Sequence, residues 1–223
     1  MTQVIQIRLK ISNAFLILGK KLVLVDTGSP GETSTILNAI NKAGLDIKNL
    51  SLILHTHAHF DHCGCTAELQ KKSGAFVAIH KLDSQAFSEG KSVPIKPINL
   101  FGKLLLLFMK DGYQPVKIDI LIDDEFDLST YGVEGKVIMT PGHTPGSISV
   151  LLDTGEIIAG DLLGGGRLMG LFQSERPRYH HWYQDVHNAE KSIARVMSTS
   201  PKRLYVGHGG PLDGDAPISH FSW

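Results

Sequence analysis

The six-residue run His57-Ala58-His59-Phe60-Asp61-His62 restricts this chain more than any other stretch. It comes straight after Leu50 to Leu54, a short apolar run that reads as a buried strand. His57, His59 and Asp61 are spaced by two, so in an extended or loop conformation they point the same way, while His62 is offset and points elsewhere. One short segment therefore offers ligand atoms to two neighbouring positions. Neutral imidazole suits zinc, and a carboxylate can complete or bridge such a site. The segment alone closes neither shell, so the fold must bring further ligands from afar.

Three distant candidates each follow a predicted strand, among glycines: His143 in Thr140-Pro141-Gly142-His143-Thr144-Pro145-Gly146, Asp161 in Ala159-Gly160-Asp161, and His208 in Val206-Gly207-His208-Gly209-Gly210. Strand ends gathered at one sheet edge are where an α/β fold assembles a site, and glycines permit turns that aim a side chain inward. A single histidine after a strand is more often structural than a ligand. The whole set in order carries the metal reading.

The segments Val4 to Ile11, Ala14 to Leu18 and Lys21 to Val25 read as strands, with a hairpin turn at Gly19-Lys20. Ser29, Pro30 and Glu32 make a capping-box pattern, which predicts a helix from Ser29 with Ile36, Leu37 and Ile40 on one face and Gly44 at its end. Thr66 to Lys72 reads as a helix stopped at Gly74, and Asp185 caps a helix to about Met197. Further strands are expected at 75–79, 117–122, 136–139, 147–152, 156–159 and 203–206. Hairpins argue for a layered α/β fold rather than an all-parallel sheet. One domain over 1–223 is expected, with an irregular insertion at about 81–115 that carries an apolar helical piece, Ile98 to Met109.

Bulk properties narrow the function. The 223 residues suit one large domain. Basic and acidic residues number 22 each, without the basic excess of a nucleic-acid binder, so a small-molecule substrate is expected. The N-terminus shows no secretory pattern. Leu104 to Met109 is far too short for a bilayer, which needs about 20 apolar residues. Cys63 and Cys65 form no disulfide framework, so a cytoplasmic protein is expected, with both thiols as small buried groups.

The motif Thr56-His57-Ala58-His59-Phe60-Asp61-His62, with Asp26-Thr27-Gly28 upstream and the His143, Asp161 and His208 segments downstream, resembles the metallo-β-lactamase-fold hydrolase superfamily. The resemblance runs from about Asn13 to Gly210. It implies an αβ/βα four-layer sandwich with two divalent metal ions at one edge: zinc, with iron or manganese as alternatives. It implies that His57, His59 and His143 hold the first metal, that Asp61, His62 and His208 hold the second, and that Asp161 bridges them. Asp26 would orient ligands from behind, and His55 matches no ligand position.

The implied reaction is attack by a metal-bridging hydroxide on an ester, thioester or lactone carbonyl, with Asp61 also shuttling a proton to the leaving group. The same fold leaves open a mononuclear iron oxygenase acting on a sulfur substrate, or a phosphodiesterase. The chain is similar to the glyoxalase II-like and lactonase-like branch, but too few residues follow His208 for the glyoxalase C-terminal domain. Residues 94–113 read either as a lid over an acyl chain or as a packing face, on the core or in a homodimer. In the loop 164–184, Arg167 could bind an anionic substrate, and Tyr179 or Tyr183 could donate to a developing oxyanion. His180 and His181 read as surface residues.

Overall fold

A computed structural model describes residues 2–107, 111–168 and 170–216. Its first sheet runs in chain order: β1 (Gln3–Arg8), β2 (Asn13–Leu18), β3 (Leu22–Val25), β4 (Leu50–Leu54), β5 (Phe76–His80) and β6 (Ile120–Ile122). The first three strands are antiparallel, and β3 to β6 are parallel. The parallel connections carry α1 (Thr33–Lys42), α2 (Phe60–Cys63), α3 (Thr66–Ser73), α4 (Ser84–Ser88) and α5 (Leu100–Leu105).

The second sheet contains β7 (Glu125–Asp127), β8 (Gly135–Met139), β9 (Ile148–Leu152) and β10 (Glu156–Gly160). A separate hairpin, β11 (Gly164–Arg167) and β12 (Phe172–Arg178), and the helix α6 (Val186–Met197) precede β13 (Arg203–Val206) and β14 (Leu212–Asp213). The sheet order is β14-β13-β10-β9-β8-β7, and β10 and β13 run parallel.

Period-two alternation builds the layers. In β2 and β3, Ala14, Leu16, Leu22 and Leu24 face Ile36, Ile40 and Leu69 of α1 and α3. Their neighbours Phe15, Ile17, Val23 and Val25 face the second sheet, where Val137, Val150, Ile158 and Tyr205 meet them. On the far side of that sheet, Ile157, Ala159, Leu204 and Val206 pack on Ile193, Val196 and Met197 of α6. The result is helix, sheet, sheet, helix: the four-layer α/β sandwich expected. Strands buried on both faces must be apolar throughout, which is why β3 reads Leu-Val-Leu-Val.

Four expectations change. The first helix begins at Thr33, not Ser29, and Glu32 is its N-cap residue. The Glu32 carboxylate still accepts from the Ser29 and Lys10 amides, so it closes a loop rather than starting a helix. The strand expected at 117–122 shortens to Ile120–Ile122 because Pro115 and an exposed loop precede it. Residues 164–178, read as a loop, pair as the β11–β12 hairpin. The expected apolar helix at 98–109 is a short one, and Phe108 and Met109 lie outside the described residues.

The two sheets are fastened at one edge. Asn13 donates its side-chain amide to the carbonyls of Val206 and Gly209, and Ile148 N donates to Thr56 O. The carboxyl ends of β3, β4, β8, β10 and β13 deliver Asp26, His57, His143, Asp161 and His208 to this edge.

Candidate metal centre

Asp161 is the hub. Its Oδ2 lies 3.8 Å from His57 Nε2, 3.5 Å from His143 Nε2 and 3.2 Å from His208 Nε2, and its Oδ1 lies 3.5 Å from His62 Nε2. Asp61 Oδ2 stands 3.4 Å from His208 Nε2 and 3.8 Å from His62 Nε2. Two triads result, His57–His59–His143 and Asp61–His62–His208, each with ligand atoms within 4.8 Å of one another. Asp161 faces both. All seven side chains singled out in the sequence therefore converge, and all are buried.

Five imidazoles have one nitrogen fixed from behind. His62 Nδ1 donates to Asp26 Oδ2 at 2.9 Å, His59 Nε2 to Val93 O at 2.9 Å, His143 Nδ1 to Trp182 O at 2.9 Å, and His208 Nδ1 to Ile11 O at 2.5 Å. Thr56 Oγ1 gives its proton to Asp26 Oδ2, so it accepts from His57 Nδ1 at 3.0 Å. Carbonyl and carboxylate oxygens only accept, so each of these nitrogens carries the proton. The opposite nitrogen of each ring then faces the centre and presents a lone pair there whenever the ring is neutral. This is how metal-binding histidines are oriented.

The inward atoms lack protein partners that satisfy them. His57 Nε2, His62 Nε2 and Asp161 Oδ1 are buried without a hydrogen bond. His143 Nε2 and His59 Nδ1 face each other at 3.0 Å with no proton left for either to donate. Two lone pairs that close repel unless a cation takes both. The donor set, imidazole nitrogen with carboxylate oxygen, fits divalent zinc, iron or manganese.

Electrostatics set the two triads apart: burial of His208 is outweighed by the Asp161 and Asp61 carboxylates, which raise it above the usual histidine range, whereas the rings of the first triad are lowered. Burial, with the neighbouring rings of His62, His59 and His143, holds His57 well below the usual histidine range. Burial does the same to His143. Burial also lowers His59. At His62 burial is outweighed by the Asp161, Asp61 and Asp26 carboxylates, which raise it well above that range. Burial opposes ionisation of Asp161, yet His208, His180 and His62 hold it well below the usual carboxylate range.

Asp26 has a left-handed backbone, φ 60°, between β3 and the Gly28 turn. Its carboxylate accepts from Thr56 N at 2.9 Å, Thr56 Oγ1 at 2.7 Å and His62 Nδ1. His55 lies behind the centre: its Nε2 is 3.0 Å from Thr66 Oγ1 and its ring packs on Phe87. The thiols face away from the centre, with Cys63 Sγ on His57 O and Cys65 Sγ on Ser29 O. Burial raises the Cys63 thiol well above its ordinary range.

Sequence reasoning missed Asp83. It is fully buried and its carboxylate joins the two histidine loops, accepting from Ala58 N at 3.0 Å, Thr144 Oγ1 at 2.7 Å and Gly146 N at 2.7 Å. No local signal marks it beyond a place at the N-cap of α4. Reading His180 as a surface residue is corrected: it is 4% exposed, with its Nε2 3.3 Å from Asp161 Oδ2. His181 is also buried, against Phe101 of α5.

The substrate-side candidates separate. The Tyr183 hydroxyl is buried, donates to Leu162 O and accepts from His180 N, which leaves it no proton for an oxyanion. Tyr179 bonds to Glu190 of α6. Arg167 lines a cavity of about 280 Å³ with Asn99, Phe101, Leu168, Arg178 and His181. The insertion reaches the site through Ile98 N to His181 O, Tyr183 N to Lys96 O, and Trp182 Nε1 to Gly102 O. Its Leu100, Leu104 and Leu107 are exposed.

The family model described as the metallo-beta-lactamase superfamily matches residues 7–208. The chain belongs to that superfamily. Among curated relatives, this superfamily member is 33% identical over 202 residues to a probable metallo-hydrolase of Methanocaldococcus jannaschii, covering 89% of this chain and 87% of the relative. It is 29% identical to a probable metallo-hydrolase of Bacillus subtilis, covering 86% and 76% of the two chains. Among solved structures, the BLEG-1 B3 metallo-beta-lactamase superposes with a TM-score of 0.71 at 21% identity, covering 98% of this chain and 97% of that one. With these relatives, the superfamily member is a metal-dependent hydrolase in the coarse sense that their names carry. Among the described residues, no helix is long and apolar enough to cross a membrane.

Proposed function

We propose that this superfamily member hydrolyses an ester, thioester or lactone with two divalent metals, zinc in the first place. One observation carries the reading: five imidazoles, each locked from behind through one nitrogen, turn the other nitrogen toward the centre that Asp161 and Asp61 line. His57, His59 and His143 hold one ion, Asp61, His62 and His208 the other, and Asp161 is shared. When bound, such ions would bring the pKa of water down to about 7 and polarise a carbonyl oxygen.

The protein's own groups do the rest. Asp26, Thr56 and the carbonyls of Val93, Trp182 and Ile11 fix the ligand tautomers. Asp61, at the less buried side of its triad, carries the proton toward the leaving group. Arg167 and Arg178 frame the neighbouring cavity and favour an acyl substrate with an anionic part, while Phe101 and Leu168 contact its apolar part.

The test is elemental analysis of purified protein together with a panel of thioesters, lactones and phosphodiesters. Two metals per chain and acyl hydrolysis abolished by a chelator are expected. One iron per chain with oxygen consumption, or turnover of phosphodiesters alone, overturns the proposal.

A further inference from the structure

We propose that His180 is an additional protein ligand of a metal ion bound at His143 and Asp161, an inference that rests on the metal reading above. The ring is 4% exposed, and neither Nδ1 nor Nε2 has a hydrogen-bond partner. Its Nε2 stands 3.3 Å from Asp161 Oδ2, yet the approach does not form a hydrogen bond. Zinc–nitrogen bonds of about 2.0–2.1 Å place adjacent tetrahedral donors about 3.3 Å apart. The separation is thus that of two donors on one ion. His143, Asp161 and His180 offer ligand atoms within 4.8 Å of one another, and the His180 ring centroid is 4.8 Å from that of His143.

The backbone holds His180 there. Its N–H donates to Tyr183 Oη at 2.9 Å, and that hydroxyl donates to Leu162 O, the residue after Asp161. Two residues on, Trp182 O receives His143 Nδ1. The 180–183 segment is therefore fastened to both the Asp161 and the His143 loops, and Trp182 Nε1 links it to the insertion at Gly102 O. A buried imidazole with two idle nitrogens is costly unless something takes a lone pair. A metal shared with His143 and Asp161 does so.

The test compares wild type with His180→Gln and His180→Cys, each loaded with zinc for chelator competition and with cobalt for visible spectroscopy. In His180→Gln, affinity for one ion should fall tenfold to a hundredfold, roughly what disturbing a metal's supporting groups costs, and the cobalt band should change as the coordination number drops. In His180→Cys, a thiolate-to-cobalt charge-transfer band should appear in the near ultraviolet. Unchanged affinity and cobalt spectrum in His180→Gln overturn the proposal, whatever happens to turnover. A missing charge-transfer band in His180→Cys overturns it if the Gln variant does not fold. Wild type that binds one ion defeats the two-metal reading instead, and the same variants then decide whether His180 holds that ion.

Discussion

Asp26 shows at one residue how the site is prepared. A non-glycine residue with φ 60° is strained by about 1–3 kcal/mol, a strain that persists only when the surroundings over-determine it. Here three donors, from Thr56 N, Thr56 Oγ1 and His62 Nδ1, converge on one buried carboxylate. Replacing Asp26 with Ala leaves His62 free to rotate and two Thr56 donors unpaired. The expected result is a stability loss of about 3 kcal/mol in denaturant titration and weaker binding of the ion at His62, about tenfold or more by chelator competition. Asp61→Asn asks a different question. The amide keeps an oxygen for the metal but cannot carry a proton at neutral pH. Turnover should fall far more than metal content; equal losses would leave Asp61 a ligand only. Gly207 is constrained by space: a Cβ there would lie 2.0 Å from Asp161 Oδ1 and 2.7 Å from His62 Cε1. Gly207→Ala should keep the fold, since the chain turns away after β13, and lose metal, read together by circular dichroism and elemental analysis.

At the scale of elements, the loops after β4 and β8 are held in step by Asp83 at the start of α4. This N-cap residue makes no side-chain bond to its own helix. Its carboxylate instead spans Ala58 of one loop and Thr144 and Gly146 of the other. Asp83→Ala leaves the buried amides of Ala58 and Gly146 unpaired and leaves the Thr144 hydroxyl with Ser147 Oγ alone. The expected cost is about 3 kcal/mol or more in denaturant titration, with faster metal loss because His57, His59 and His143 lose their common brace. Asp83 had no sequence signature because its partners are 25, 61 and 63 residues away. The strands did have one: β2, β3, β4, β10 and β13 are apolar on alternating faces or on both, and the expected spans lie close to the observed ones. The β11–β12 hairpin had none, since its Gly164-Gly165-Gly166 run and exposed polar strand carry no alternation. The ligands were readable because two-residue spacing and strand-end glycines are local patterns. His180 was not, because its burial comes from packing against loops far away in the chain.

At the scale of the molecule, bound ions would add to the protein hydrogen bonds that already fasten the two sheets at this edge. The inward atoms of His57, His62 and Asp161 are buried and unsatisfied, and the pairs around them include lone pairs at 3.0 Å. Without ions this edge is a destabilised seam between the first sheet, which supplies Asp26 and the 57–62 segment, and the second, which supplies His143, Asp161 and His208. Ligand binding to the folded state alone stabilises it by RT ln(1 + [L]/Kd), about 4.1 kcal/mol at a thousandfold excess over Kd. For a chain of this length each kcal/mol moves Tm by roughly 2–4 °C. Stripping one such ion should therefore lower Tm by roughly 8–16 °C, and stripping both by more. Calorimetry of the loaded, chelated and zinc-restored protein measures it. The drop should be reversed by zinc and should rise with the logarithm of free zinc before removal. A Tm indifferent to chelation in a protein shown to have lost its metal would mean that the seam closes on protein contacts alone. The convergence of lone pairs would then not be the work of a bound cation.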